Sequence, residues 1–153
     1  MEVTIGGREY ELSETLHSDE LAPIFDDAWT ASRVWHASCF LSEKLVAFAQ
    51  GDEESEVHSF EVAGGRSVIE LGSGCGLVGL VAAALGSDVL LTDQREAVDL
   101  LRRNAEHNMH TADEKRRVNV AEYQWGTTPA QAQLPHSTFD YILISDCTSS
   151  RVE

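Results

Sequence analysis

The sequence predicts an α/β fold built on a parallel, doubly wound sheet, and three observations carry that expectation. From Arg66 onward, short runs rich in β-branched residues alternate with longer stretches at helical spacing, strand then helix. Those short runs are apolar almost throughout rather than at every second position, which marks strands covered on both faces. A glycine-rich turn, "LGSGCGLVG" (71–79), joins the first such strand to the first such helix.

The elements follow in order. "EVTIGGREYELS" (2–13) alternates on both sides of Gly6-Gly7, a hairpin with its turn residues in place. Residues 13–30 are polar and irregular. "SRVWHASCFLSEKLVAFAQ" (32–50) sets Val34, Ala37, Phe40, Leu41, Leu45 and Phe48 at helical spacing, and the acidic "GDEESEVHS" (51–59) reads as a solvated connector. "SVIEL" (67–71) is a buried strand, and "LVGLVAAALG" (77–86) is a helix with a glycine stop. "DVLLTD" (88–93) and "EAVDLLRRNAEHN" (96–108) form the next strand and helix. "RVNVAEYQW" (117–125) and "FDYILISD" (139–146) are the remaining strands. The expected organisation is one domain over 1–153, with a hairpin-and-helix extension at 1–60 and the α/β core at 61–153.

Composition narrows the function. Hydrophobic residues at 42% and charged residues at 24% are ordinary for a globular chain, but a formal charge of −15 is not. Such a field repels phosphate backbones, so no nucleic-acid partner is expected, whereas a basic protein surface is attracted. The acidity equally serves simple solubility. Arg102-Arg103 reads as a solvated helix face and Lys115-Arg116-Arg117 as a loop before a strand. Cys39, Cys75 and Cys147 are odd in number and widely spaced, which argues against a disulfide framework and for a reducing compartment. The start lacks the basic and apolar regions of a signal peptide, and the longest apolar run, residues 77–85, is too short to cross a bilayer. The expectation is cytoplasm or nucleus, with no membrane contact. His107 and His110 form H-x-x-H at a polar helix end without a third ligand, so no metal site is expected. Cys75 and Cys147 read as small packed residues.

The glycines of the turn admit two counts. Gly74, Gly76 and Gly79 fit the G-x-G-x-x-G of dinucleotide sites, while Gly72, Gly74 and Gly76 preceded by Glu70 fit the acidic-x-G-x-G-x-G loop of S-adenosylmethionine (SAM) enzymes. Both need an acidic residue at the end of the second strand to bind a ribose diol, and Asp93 serves either. Glu70 separates them. A carboxylate just before the loop repels a pyrophosphate but favours a ligand that carries a sulfonium and an ammonium. Trp125 lies at the rim beyond the third core strand, where an adenine would stack, a contact of about 1–3 kcal/mol. Trp35 opens the helix that precedes the core.

In this order, "RVWHASCFLSEKL", "SVIELGSGCGLVGLVAAALGSDVLLTD", "VAEYQWG" and "FDYILISDC" resemble the seven-β-strand protein-lysine methyltransferases, the methyltransferase-like 21 and valosin-containing-protein lysine methyltransferase group. The hairpin resembles that family's N-terminal strands. The resemblance implies a Rossmann-like class I methyltransferase core and SAM as the cofactor. It implies methylation of a lysine side chain on a protein such as an Hsp70-type chaperone, an AAA ATPase or an elongation factor, by an enzyme that is a monomer if complete. It places Gly72, Ser73 and Gly74 along the methionine part of SAM, Asp93 on the ribose, Trp125 on the adenine and Trp35 at the methionine end. Ser145 would complete the pocket wall, and Asp146 would stand where the lysine enters.

The match stops near the end of the chain. The family follows its fourth strand with Asp-x-x-Tyr, and the tyrosine position here is Ser149. The family's strand order 3-2-1-4-5-7-6 would be represented by its contiguous half 3-2-1-4, with an apolar fourth strand at an open edge. "TSSRVE" (148–153) has no counterpart in the family, so the expectation is a C-terminally truncated chain that binds SAM weakly and turns over slowly if at all. Three other readings stay open at this stage: an NAD-dependent oxidoreductase, a non-catalytic SAM-binding remnant that meets partners through its acidic surface, and a methyltransferase for small molecules or arginine.

Overall fold

The computed structural model describes residues 1–14, 33–51 and 64–147. Most of the polar stretch 13–30, nearly all of the acidic connector 51–59, and the tail 148–153 with Ser149 lie outside the described residues.

The N-terminal hairpin pairs β1 (Glu2–Ile5) with β2 (Arg8–Glu11), Ile5 opposite Arg8. Gly6 and Gly7 both have positive φ, 56° and 80°, the requirement of the two-residue turn whose twist matches antiparallel strands. Ile5, Tyr10 and Leu12 turn inward and are buried. Helix α1 (His36–Gln50) ends on Gly51, whose left-handed backbone closes the last turn.

The core sheet contains β3 (Ser67–Leu71), β4 (Asp88–Asp93), β5 (Val118–Glu122) and β6 (Tyr141–Ile144), in the order β5-β4-β3-β6. All three neighbouring pairs are parallel. The expected class and strand order are therefore present. Helix α2 (Leu77–Ala84) connects β3 to β4 and is buried from Leu77 through Ala83, as its apolar composition on every side requires. Helix α3 (Arg95–Asn108) connects β4 to β5 and is amphipathic, burying Ala97, Val98, Leu100, Leu101 and Ala105.

One sequence expectation needs correction. Lys115, Arg116 and Arg117 do not lie in a loop: they close a short helix, α4 (Ala112–Arg117). Thr111 accepts from the Glu114 amide, and the Glu114 carboxylate accepts from the Thr111 amide, a complete capping box. Basic residues in the last turn oppose the negative end of the helix dipole, and Arg117 also donates to the Gly86 carbonyl at 2.7 Å.

Two asparagines of α3 fasten the hairpin to the core. Asn108 accepts from the Glu11 amide and donates to the Glu11 carbonyl, both at 2.8 Å. Asn104 does the same for Ser13, at 2.8 and 3.1 Å. These side-chain amides take the place of a partner strand. Arg8 reinforces the junction through an ion pair with Glu114 and a bond to the Asn108 carbonyl at 2.6 Å.

At the other edge of the sheet, β6 pairs with β3 alone among the described strands. Leu143 faces the core and is buried, whereas Ile142 and Ile144 on the opposite face are 61% and 54% exposed. Asp140 sets the register of this strand by accepting from both the amide and the hydroxyl of Ser67 at 2.8 Å.

Helix α2 lies so close to the sheet that a Cβ on Gly79 would come within 2.1 Å of Leu91 Cδ2 and 2.7 Å of Glu70 Oε2. Alanine at a helical glycine normally gains about 1 kcal/mol. Overpacking a filled core costs about 1–3 kcal/mol, and here it opposes and exceeds that gain. Gly79→Ala is therefore expected to lower the urea midpoint of unfolding, and a raised midpoint would show that α2 can retreat from the sheet without loss.

Candidate functional site

The chain passes from β3 through β4 to β5 in one direction, then crosses back to place β6 on the other side of β3. The strand order therefore reverses beside β3, and open parallel sheets bind ligands beyond the carboxyl ends of the strands at such a point. A cavity of about 480 Å³ lies there, within the range of small-molecule sites. Its walls come from the turn after β3 (Gly72 to Leu77), Asp93 and Gln94 after β4, Tyr123 to Trp125 after β5, and Ser145 to Cys147 after β6. Arg33, Val34, Trp35 and Ser38 close it from the α1 side, and Glu70 lies at its floor.

All nine residues singled out from the sequence line this one cavity: Trp35, Glu70, Gly72, Ser73, Gly74, Asp93, Trp125, Ser145 and Asp146. The sequence reading passed over Arg33, Tyr123 and Gln124, which line it too. A signal for Arg33 existed, since residues two apart in an extended segment share a side and Arg33 lies two before Trp35.

Each polar group of the glycine turn is held by a particular neighbour. The Ser73 amide donates to the Thr92 carbonyl at 2.9 Å, and the Ser73 hydroxyl accepts from the Thr92 amide at 3.0 Å. The Gly74 amide donates to Asp93 Oδ2 at 2.7 Å, and Asn104 Nδ2 donates to the Cys75 carbonyl at 3.0 Å. Gly72, Gly74 and Gly76 all have positive φ, at 64°, 55° and 88°, so this turn needs glycine at each. At Gly72 a Cβ would also lie 2.7 Å from Cys147 Sγ.

Both glycine counts thus have physical content. The first three glycines make the turn, and Gly79 lets α2 approach the sheet, the packing role that the third glycine of a dinucleotide fingerprint also plays.

Glu70 is 2% exposed, and its Oε2 accepts from the Gly79 amide at 3.1 Å. Gly76, the residue that opens α2, has no side chain to cap the helix, so the strand before the turn supplies the acceptor. Desolvation pushes the Glu70 carboxyl up to about 8, against the lowering effect of its hydrogen bonds. The charge expected from the sequence is thus largely neutralised by a proton at pH 7, because burial outweighs the bonds that would favour the ionised form.

Asp93 is also raised by desolvation, opposed by hydrogen bonds from the Gly74 and Gln94 amides. Those amides take one position on each oxygen, Oδ2 and Oδ1, both at 2.7 Å. A carboxylate oxygen accepts more than one bond, so both keep capacity toward the cavity. Ser145 Oγ is buried without a hydrogen-bond partner. Asp146 is exposed at the mouth with φ of +55°, a strained conformation for a residue with a side chain. Trp125 and Trp35 are 54% and 38% exposed, which leaves ring surface open to a ligand.

Cys147 Sγ donates to the Leu71 carbonyl at 3.0 Å, and burial raises its thiol. Cys75 is buried and its thiol is pushed up to about 12, mainly by desolvation. High thiol pKa values fit packing roles for both. His107 meets Glu11 at 2.9 Å, and among the described residues no cluster of three or more His, Cys, Asp or Glu side chains is arranged to hold a metal. No described helix is long and apolar enough to cross a membrane.

A family model described as lysine methyltransferase matches residues 25–151, which takes in every residue that lines the cavity. The chain is 35% identical over 130 residues to protein N-lysine methyltransferase METTL21A of Xenopus tropicalis, covering 85% of this chain and 53% of that one. It is 34% identical over 96 residues to EEF1A lysine methyltransferase 3 of Mus musculus, covering 63% and 35%. It is 43% identical over 89 residues to calmodulin-lysine N-methyltransferase of Arabidopsis thaliana, covering 55% and 28%. The chain spans about half the length, or less, of these curated relatives.

The Glu70 carboxyl sets a pH dependence whose sign is fixed. A group held at about 8 when folded and near 4.5 when unfolded contributes fully to stability below about pH 4.5. That contribution is lost as pH rises to about 8, with a limiting slope of about 1.4 kcal/mol per pH unit. Glu70→Gln keeps an acceptor for the Gly79 amide and removes the titration. Urea unfolding of the two chains between pH 5 and 9 should give a flatter profile for the variant; parallel profiles would mean that Glu70 is ionised in the folded chain.

Proposed function

The chain belongs to the lysine methyltransferase family, and on that premise we propose that it takes its methyl group from SAM and delivers it to a lysine side chain of a protein. The observation that carries this reading is the family match over residues 25–151, within which lies one cavity at the strand-order reversal. Family membership implies a methyl donor, and SAM is the donor whose chemical groups suit this cavity.

The fit rests on the donor set. Asp93 offers two fixed oxygens to a ribose diol, Trp125 an open indole face to an adenine, and Ser145 Oγ an unused polar atom in the wall. Gly72, Ser73 and Gly74 border the methionine part, with Trp35 across the cavity from them in the proposed pose. Glu70 lies beneath the turn, and an adjacent cation would draw its carboxyl toward the ionised form.

When bound, SAM supplies a methyl carbon activated by its sulfonium. This chain's task is to aim a neutral amine at that carbon, in line with the bond that breaks, and positioning of this kind lowers barriers most. Asp146 at the mouth accepts from the incoming lysine nitrogen and fixes its approach. Withdrawal of that nitrogen from water between Trp35 and the strand ends lowers its pKa and favours loss of its proton before transfer. The substrate is a protein with an accessible lysine, for which the acidic character of the chain (−15) provides attraction. Relatives are named for EEF1A and calmodulin, so non-histone proteins are the class to test, and the chaperones, AAA ATPases and elongation factors expected from the sequence are candidates alongside them. Three free cysteines support a reducing cytoplasmic or nuclear setting.

Asp93→Ala should cost about 1.5–3 kcal/mol of SAM affinity by calorimetric titration, the range for hydrogen bonds to a charged group. Asn should recover part of that loss. Unchanged affinity with circular dichroism intact would remove Asp93 from the site. Incubation with methyl-labelled SAM and candidate proteins, read by mass spectrometry of lysine-containing peptides, tests the reaction. SAM binding without lysine methylation in any substrate would reduce the reading to a binding module.

Trp125→Phe should retain most affinity for SAM and for S-adenosylhomocysteine, and Trp125→Ala should weaken both alike. A fall in melting temperature with unchanged affinity would assign Trp125 to packing.

A further inference from the structure

The cavity wall is electrically one-sided. Two carboxylates, Asp93 and Asp146, line it together with the carboxyl of Glu70, which burial holds toward its neutral form. Arg33 is the single basic side chain among the described lining residues. Four of the backbone donors around the turn are already engaged within the protein. The amides of Ser73 and Gly76 donate to the Thr92 and Ser73 carbonyls, and that of Gly74 donates to Asp93. The Gly79 amide, in the first turn of α2, donates to Glu70. The helix end is therefore answered in part from within the protein, and a charged side chain is the stronger receptor for a ligand carboxylate.

A SAM-type ligand carries a carboxylate and an ammonium on one carbon. Acidic groups and turn carbonyls suit the ammonium and oppose the carboxylate. Arg33 is exposed and lines the cavity together with Trp35 from the segment that leads into α1, whereas Asp93 and Trp125 line it from the ends of β4 and β5. We propose that Arg33 is the carboxylate receptor of this site, a specificity residue that makes it select nucleosides with an intact amino-acid end. The inference rests on the function proposed above and adds a determinant to it. The guanidinium is permanently charged and offers paired donors that match a carboxylate, so one residue is enough.

Decarboxylated SAM, which keeps the sulfonium, the ammonium and the nucleoside, isolates the contact. Calorimetric titration of the full chain and of Arg33→Ala with SAM and with decarboxylated SAM gives a four-cornered comparison. The unaltered chain should prefer SAM by roughly 10- to 100-fold, the range for a charge-assisted contact. Arg33→Ala should lose that preference by weakening SAM binding alone, and Arg33→Lys should restore part of it. A merely structural role would weaken both ligands equally. Equal weakening, or a preference that survives in Arg33→Ala, overturns the assignment while leaving SAM binding intact. If the unaltered chain binds neither ligand, the proposed function falls and this assignment with it.

Discussion

The molecule depends on how the sharp turn between β3 and α2 is satisfied. Three left-handed glycines reverse the chain within five residues, too tightly for regular backbone pairing, so its polar groups are met from several elements. Glu70 on β3 caps α2, Thr92 and Asp93 on β4 hold Ser73 and Gly74, and Asn104 on α3 holds the Cys75 carbonyl. Each of these is buried, where an unmet partner costs about 1–3 kcal/mol. The relative placement of two strands and two helices is thereby tied to one short loop, and that loop forms the wall of the cavity.

The hairpin shares in this arrangement. Asn104 meets the backbone of Ser13 with the same amide that holds Cys75, so the N-terminal segment and the glycine turn meet on one side chain. Arg8, Asn108 and Glu114 extend the seam to α4. The hairpin is thus part of the scaffold that sets the shape of the turn.

Much of this was legible in the sequence, for reasons that differ by residue. Apolar runs, helical spacing and a glycine turn revealed the β/α order, and the acid at the end of the second core strand pointed to Asp93. Glu70 was visible as an unexpected acid, but its direction was not: that it turns toward Gly79 and gives up most of its charge follows from burial, which only the packed structure fixes. Asn104 and Asn108 lie in the stretch expected as a helix and carried no sign of burial there, yet both are buried because the hairpin's backbone takes them as partners. Helix α4 is six residues long, too short for a periodic pattern, and its one local signal is the T-x-x-E box at 111–114, which the reading of 115–117 as a loop passes over. Arg33 carried no motif beyond its spacing of two from Trp35, and the role proposed for it emerges only when the charges around one cavity are compared.

Asp93 shows what such internal bonding does for a site. Amides from two different segments grip its two oxygens, so the carboxylate plane cannot rotate freely. An unrestrained aspartate would have to give up that rotation each time a ligand arrived. Here the loss of freedom was met once, when the chain folded, so in the role proposed for Asp93 the energy of a later contact would go to the ligand alone. The restraint works in the other direction as well. Anything that loosens the turn also blunts the site, so the first sign of a weakened fold in this protein would be a less discriminating grip rather than an unfolded chain.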